Sequence, residues 1–292
     1  MSEVSIEKIE KEDIKVPSLE NGDTAIVFQR HERYVRDRDA ENTGSLIEEH
    51  AEAARDRDIA FFEKLFGNET SKTMVLFTSS DTQYTGGGYR SLETAQIAQD
   101  AAIKVLEKMG IDPSSRIINL SPDFITHGFK PTNQSIRPDT KIREPQIFDT
   151  PEYVDYLRGK YGEEDGLGTG LSSTAWAMHE MDAEKAVRKQ MGAEGVYEIL
   201  DRTKKSINVM DRYANVFHAN NPDTALLIWA VSHYDTISPL VKDATGVSFG
   251  EYIPVDYGAG VVIELHKDEV PMLHAQGQEV ELRLAATAIK HP

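Results

Sequence analysis

Two histidines stand where the sequence predicts the ends of buried strands. The apolar run Thr24–Gln29 is typical of a strand inside a parallel sheet, and it leads through Arg30 to His31. A second apolar run, Ala225–Ser232, ends on His233. Ligands of open α/β sheets bind just beyond the carboxyl ends of the strands, so the two imidazoles are expected to meet there. The alternative is that each histidine only fills the rim of the sheet.

Two arginines place positive charge beside these histidines. Arg30 directly precedes His31, and Arg90 begins a predicted helix that follows the predicted strand Met74–Thr78. The amino end of a helix already favours an anion through its free amides and its dipole. A guanidinium adds a planar fork of donors that matches the oxygens of a phosphate group. The combination predicts a site that binds a phosphoryl group.

Three motifs in this order resemble those of the histidine phosphatases, also called the phosphoglycerate mutase-like superfamily. Ile26–His31 is similar to the strand that ends in Arg-His-Gly in that family, with Glu32 in place of the glycine. Leu76–Ser80 and, after a loop, Arg90–Ala95 resemble its Ser-x-x-x-Arg-x-x-x-Thr-Ala signature. Ile228–Ile237 resembles its Val-Ser-His-Gly-x-x-Ile stretch. The resemblance spans Thr24 to Leu240 and implies a phosphoglycerate mutase-like fold.

The resemblance also implies a reaction. His31 is expected to attack phosphorus and form a phosphohistidine, while Arg30, Arg90 and His233 surround the phosphoryl oxygens without a metal ion or another cofactor. The implied activity is hydrolysis of a small phosphomonoester. Two alternatives stay open: a mutase that returns the group to a second hydroxyl, and a catalytically impaired member that binds a phosphorylated ligand or a protein.

The general acid and the residue after the nucleophile complete the expected site. The resemblance offers Glu144, which is preferred, and Asp235 as the alternative acid. Glu32 brings negative charge beside His31, and it is expected to turn away toward Arg33 or Arg36. Either of those two arginines is a candidate for a further phosphate ligand.

The elements that must position these residues predict an α/β fold of three layers, with a mainly parallel central sheet and helices on both faces. Helices are expected over Ser45–Leu65, Ser91–Met109, Pro151–Tyr161 and Ser172–Phe217, and further strands over Arg116–Leu120, Gly260–Leu265 and Glu279–Leu284. Residues 1–22 are expected to form an N-terminal arm and residues 23–292 a single domain. A helical excursion at about 150–217 is expected to cap the site and set its specificity.

Composition limits the partners. Asp and Glu outnumber Lys and Arg by 49 to 32, and the formal charge of −17 disfavours nucleic acid and anionic membranes. The chain has no cysteine, which excludes a cysteine nucleophile and cysteine-bound metals.

Residues 1–15 lack the apolar segment of a secretory signal, so a cytoplasmic protein is expected. The charge run Arg55–Asp58 predicts a solvated helix face, and the choice between monomer and homodimer is left open.

Overall fold

The structure is a computed structural model. It describes residues 14–35, 41–68, 70–83, 88–120, 136–145, 150–163, 171–253, 255–266 and 269–284. No helix among these residues is long and apolar enough to cross a membrane.

Seven strands of the described chain form one sheet in the order β3-β2-β4-β1-β5-β6-β7. The four strands on one side, β3, β2, β4 and β1, run parallel, and β5, β6 and β7 are added antiparallel. The strands are β1 Thr24–Arg30, β2 Lys72–Ser80, β3 Arg137–Asp139, β4 Thr224–Ser232, β5 Gly260–Leu265, β6 Met272–Ala275 and β7 Gln278–Glu281. The predicted sheet with a parallel centre is thereby confirmed.

Helices cover the sheet on both faces. The described helices are α1 Glu48–Gly67, α2 Arg90–Lys108, α3 Pro151–Tyr161, α4 Ser173–Glu180, α5 Lys185–Met191, α6 Val196–Asn220 and α7 Tyr234–Thr245. Every residue of β4 is buried, and alternate side chains of this strand enter two different clusters. Trp229 packs with α1 and α2 on one face, whereas Ile228 packs with α6 and α7 on the other. Because successive strand residues point to opposite faces, this continuous apolar run requires a helical layer on each side.

The register of the central strands brings both histidines to one edge. Arg30, the last residue of β1, pairs with Ser232, the last residue of the parallel strand β4. His31 and His233 directly follow these two residues and therefore lie side by side. The amide of His31 also donates to the carbonyl of Ser232 at 3.0 Å. Val231 of β4 pairs with Ser79 of β2, which brings the end of β2 to the same edge.

The helical region between β3 and β4 differs from its prediction. The single helix expected over Ser172–Phe217 is three helices, α4, α5 and α6. Gly192 ends α5 in the left-handed conformation with φ +77°, which a glycine adopts at little cost. The predicted helix Pro151–Tyr161 is confirmed as α3. Together α3, α4 and the residues around Gly192 form a small apolar cluster of their own, centred on Tyr153, Leu157 and Ala175.

Two strand predictions were wrong in part. The expected strand Arg116–Leu120 forms a single bridge, Val75 to Ile117, and then a 3-10 turn. The side chain of Asn119 explains the difference, because it bonds the backbone amide and carbonyl of Phe77 at 2.7 and 3.0 Å in place of a strand ladder. Near the C-terminus, β7 is shorter than the expected Glu279–Leu284 and pairs with β6, which the sequence pattern missed.

Candidate active site

His31 and His233 lie against each other at the carboxyl edge of the sheet. Their ring centroids are 5.1 Å apart, with an angle of 66° between the ring planes. Both rings are buried, at 4% and 1% exposure. The convergence that the strand pattern predicted is therefore present in the structure.

His31 has a defined hydrogen-bond geometry at both ring nitrogens. Nδ1 donates to the carbonyl of Glu32 at 2.7 Å, and Nε2 accepts from Nε of Arg90 at 3.1 Å. Burial holds the pKa of His31 well below its usual value, and the charges of Arg90, His233 and Arg30 lower it further. A neutral imidazole with its proton on Nδ1 has its lone pair on Nε2. This nitrogen can act as a nucleophile.

His233 is held by two serines that the sequence analysis did not single out. Its Nε2 lies 2.9 Å from Oγ of Ser80 and 3.4 Å from Oγ of Ser91. Both serines lie within the second motif, which is the sequence signal that could have identified them. Burial lowers the pKa of His233 strongly, and several nearby arginines act in the same direction, first among them Arg90 and Arg202. In the described part of the chain its Nδ1 is buried and makes no hydrogen bond.

Arg90 is the centre of the polar contacts. It is the first residue of α2, it is 1% exposed, and its guanidinium lies 4.4 Å from the ring centroid of Tyr34. Besides the bond from Nε to His31, its Nη2 donates to Oε1 of Glu144 at 2.6 Å. The arginine predicted to bind phosphate thus contacts the predicted nucleophile and the preferred acid at once.

Arg30 and Arg33 flank one tyrosine at the edge of the site. The guanidinium of Arg30 lies 3.9 Å from the ring centroid of Tyr257, and its Nη1 donates to the carbonyl of Val255 at 2.6 Å. Arg33 is exposed, with its guanidinium 5.6 Å from the same ring. The third candidate, Arg36, lies outside the described residues. Of these arginines, Arg30 is therefore held inside the site and Arg33 lies at its rim.

The two candidate acids occupy different environments. Glu144 is partly buried at 23% side-chain exposure, and its ion pair is with Arg90. Asp235 is the second residue of α7 and is also partly buried. Burial raises the pKa of Asp235 to about 7, aided by the negative charges of Glu144 and Glu180 and opposed by Arg30. A carboxyl with such a pKa is partly protonated near neutral pH.

Glu32 points into the protein toward α1. Its carboxylate is 1% exposed and accepts from Nη1 of Arg57 at 2.5 Å, a partner that the sequence did not suggest. Arg57 also donates to Oδ1 of Asp58 from Nε and Nη2, at 3.0 and 2.8 Å. The predicted solvated face Arg55–Asp58 was wrong for its last two residues, since the side chains of Arg57 and Asp58 are 16% and 1% exposed. The charge beside the nucleophile is thus paired with a cation.

The site consists of a neutral histidine with a fixed tautomer, a second histidine and arginines, and nearby carboxyls. Among the described residues, no group of three or more His, Asp or Glu side chains is arranged to hold a metal ion. The arrangement is suited to binding an anionic group next to Nε2 of His31, beside the guanidinium of Arg90.

Comparisons with known proteins find likeness in structure only. No protein-family model matches the chain, and no curated protein matches it. A phosphoglycerate mutase from Bacillus anthracis is similar over 89% of this chain and 94% of its own, at 16% identity and a TM-score of 0.49. A mycobacterial glucosyl-3-phosphoglycerate phosphatase is similar over 82% and 89%, at 14% identity and a TM-score of 0.37. A phosphoserine phosphatase from Entamoeba histolytica is similar over 88% and 94%, at 14% identity and a TM-score of 0.31.

Proposed function

We propose that this chain hydrolyses small phosphomonoesters without a metal ion, through a phosphohistidine at His31. The observation that carries the proposal is the contact of Nε2 of His31 with Arg90 while Nδ1 is bonded to the carbonyl of Glu32. This geometry leaves a lone pair on the nitrogen that faces the cation. A bound phosphoryl group would be attracted by the guanidinium and attacked by the imidazole.

In the first step, Nε2 of His31 attacks phosphorus and the bond from phosphorus to the ester oxygen breaks. A phosphoryl oxygen replaces Nε2 as the acceptor of the Arg90 Nε–H. Arg30, Arg90 and His233 stabilise the charge that develops on the phosphoryl oxygens. In the second step, water attacks phosphorus, the phosphorus–nitrogen bond breaks, and inorganic phosphate leaves.

The leaving oxygen needs a proton, and we propose that it comes from Asp235, which lies in the first turn of α7, two residues after His233. An efficient general acid has a pKa near the working pH, and the pKa of Asp235 is raised to about 7. After the first step the same carboxylate can take a proton from the attacking water. Glu144, preferred from the sequence, is the alternative acid because its carboxylate touches Arg90 at 2.6 Å.

A leaving-group series separates the two acids. A good leaving group such as p-nitrophenolate needs little protonation, whereas an alkoxide needs a full proton. Replacing the acid by its amide therefore reduces kcat far more for an alkyl phosphate than for p-nitrophenyl phosphate. We expect this difference for Asp235→Asn, and finding it for Glu144→Gln alone would transfer the role to Glu144.

The pairing of Glu32 bears on the alternative of an impaired, ligand-binding protein. That alternative depended on an uncompensated negative charge beside the nucleophile, and the ion pair with Arg57 supplies the compensation. The mutase alternative uses the same first step and differs in the acceptor. Addition of an alcohol and detection of its phosphate ester by phosphorus NMR distinguishes transfer from hydrolysis.

The proposal is tested with p-nitrophenyl phosphate and a panel of phosphorylated metabolites in the presence of EDTA. Wild-type protein should release phosphate, and His31→Ala should lose at least about 10³-fold in kcat because the nucleophile is gone. His50→Ala, which changes a histidine on α1 that belongs to none of the three motifs, is the matched control. Wild type quenched in alkaline denaturant should retain labelled phosphate on His31, because the phosphorus–nitrogen bond of a phosphohistidine hydrolyses in acid. Unchanged turnover in His31→Ala would refute the mechanism.

A further inference from the structure

The buried ion pair between Glu32 and Arg57 lies directly behind the candidate nucleophile. Glu32 is 1% exposed, and its side chain reaches α1, which begins well after β1 in sequence. A buried carboxylate is costly unless it is paired and hydrogen-bonded, so its partner strongly constrains where it lies. Arg57 is itself fixed, because its Nε and Nη2 donate to Oδ1 of buried Asp58.

The backbone of Glu32 is the part that touches the nucleophile. Its carbonyl accepts the proton on Nδ1 of His31 at 2.7 Å, and its amide donates to Oγ1 of Thr94 at 3.0 Å. Thr94 in turn donates to the carbonyl of Arg90 at 2.8 Å. The same residue thus holds the imidazole through its backbone and is held to α1 through its side chain.

Gly258 closes the far side of this arrangement. A Cβ atom at this position would lie 1.9 Å from Oε1 of Glu32 and 2.4 Å from Nη1 of Arg57. The glycine has φ +74° and donates its amide to the carbonyl of Arg30 at 3.1 Å. The turn that carries Tyr257 therefore packs onto the ion pair as closely as backbone allows.

We propose that Arg57 is a positioning residue for His31, because its ion pair with Glu32 fixes the carbonyl that keeps the imidazole proton on Nδ1. Arg57 touches no reacting atom. It acts through Glu32, a residue that stands where the resembled motif has a glycine without a side chain to anchor. The catalytic part of this inference rests on the proposed function, whereas the effect on the tautomer does not.

The test compares Arg57→Gln and Arg57→Lys in the full chain. Arg57→Gln should lower kcat for p-nitrophenyl phosphate by about 10²-fold, the scale of a small misplacement of a reacting group, with KM nearly unchanged. Arg57→Lys keeps a cation on Glu32 and should recover most of this loss. Arg55→Gln is the matched control, because Arg55 lies on the same helix at 49% exposure and pairs only with the exposed Glu48 in the described residues.

A triple variant guards against a simple folding defect. Arg57→Gln alone removes the cation from two buried carboxylates, Glu32 and Asp58. Glu32→Gln and Asp58→Asn together with Arg57→Gln remove all three charges, and this variant should fold. The triple variant should still show the low kcat, because neutral amides hold the backbone at position 32 less firmly. Wild-type kcat in the folded triple variant would overturn the proposal.

Nitrogen-15 NMR of the histidine side chains gives a readout that needs no turnover. The signals of His31, identified by their loss in His31→Ala, should show the Nδ1–H tautomer in wild type and Arg55→Gln, and a mixture of tautomers in Arg57→Gln. An unchanged tautomer in Arg57→Gln would refute the positioning role. If wild type hydrolyses no phosphomonoester, the proposed function fails, and the NMR comparison still decides the role of Arg57.

Discussion

Lys242 offers a measurable link between the helical region and the sheet layer. Its side chain is fully buried on α7, and its Nζ donates to Oε2 of Glu180 on α4 at 2.9 Å and to the carbonyl of Phe249 at 2.8 Å. Burial raises the pKa of Glu180, and the charge of Lys242 opposes that rise. Lys242→Met removes this charge and both hydrogen bonds while keeping an unbranched side chain of similar length.

The expected loss follows from the state in which Glu180 is left. Breaking a buried pair on one side costs about 3–5 kcal/mol, because the remaining charge is uncompensated. For a chain of this size each kcal/mol lowers Tm by roughly 2–4 °C, so the variant should melt about 6–20 °C below wild type. The matched control is Lys205→Met, whose ion pair with Asp201 is exposed at 64% and 48% and should contribute less than about 1 kcal/mol.

The assay is urea unfolding at two pH values. Without Lys242 the pKa of Glu180 rises further, so the folded variant binds a proton more readily than the unfolded chain. Such a group stabilises the folded state at low pH, and this stabilisation is lost as the pH rises through the raised pKa. Lys242→Met should therefore be closer to wild type at pH 5 than at pH 8. A loss under 1 kcal/mol, or one equal at both pH values, would refute the reasoning.

Two further predictions concern proton transfer and packing. The negative charge of Glu144 helps to raise the pKa of Asp235, so Glu144→Gln should lower that pKa. The basic limb of the pH–kcat profile should then move below its wild-type position near pH 7. An unmoved limb would argue against Asp235 as the acid. Phe62 is fully buried against Phe77 and Trp229. Phe62→Ala should therefore reduce the free energy of unfolding, measured by denaturant titration, by about 3–5 kcal/mol. A loss below about 1 kcal/mol would contradict this packing.

The three motifs illustrate what local pattern can and cannot predict. A buried parallel strand has one carboxyl end, and the residue after it must lie at the ligand-binding edge, so His31 and His233 could be placed together from apolar runs alone. Arg90 could be placed from the helix pattern that starts there. Ser80 and Ser91 lie in the same motif, but which side chains reach His233 depends on how β2, β4 and α2 are brought together.

Hydrophobic periodicity predicted the wrong secondary structure where tertiary contacts or special backbone angles override local preference. Arg116–Leu120 is apolar enough for a strand, yet the Asn119 side chain satisfies the Phe77 backbone and ends the pairing. The helical pattern over Ser172–Phe217 did not predict the two breaks that divide this region into α4, α5 and α6. The second break lies at Gly192, which adopts the left-handed conformation. Both cases depend on contacts or backbone angles that a periodic pattern does not contain.

By itself the sequence determined the α/β class, the strand ends that carry His31 and His233, and the helix start that carries Arg90, because hydrophobic periodicity and chain polarity are local properties. Only the tertiary structure decided that Glu32 pairs with Arg57 and that Asp235 lies where burial and neighbouring carboxylates raise its pKa. The type of a charged residue does not show whether it lies on the surface or in the interior. Its partner and its solvation, which set its chemistry, exist only after the helices have packed on the sheet.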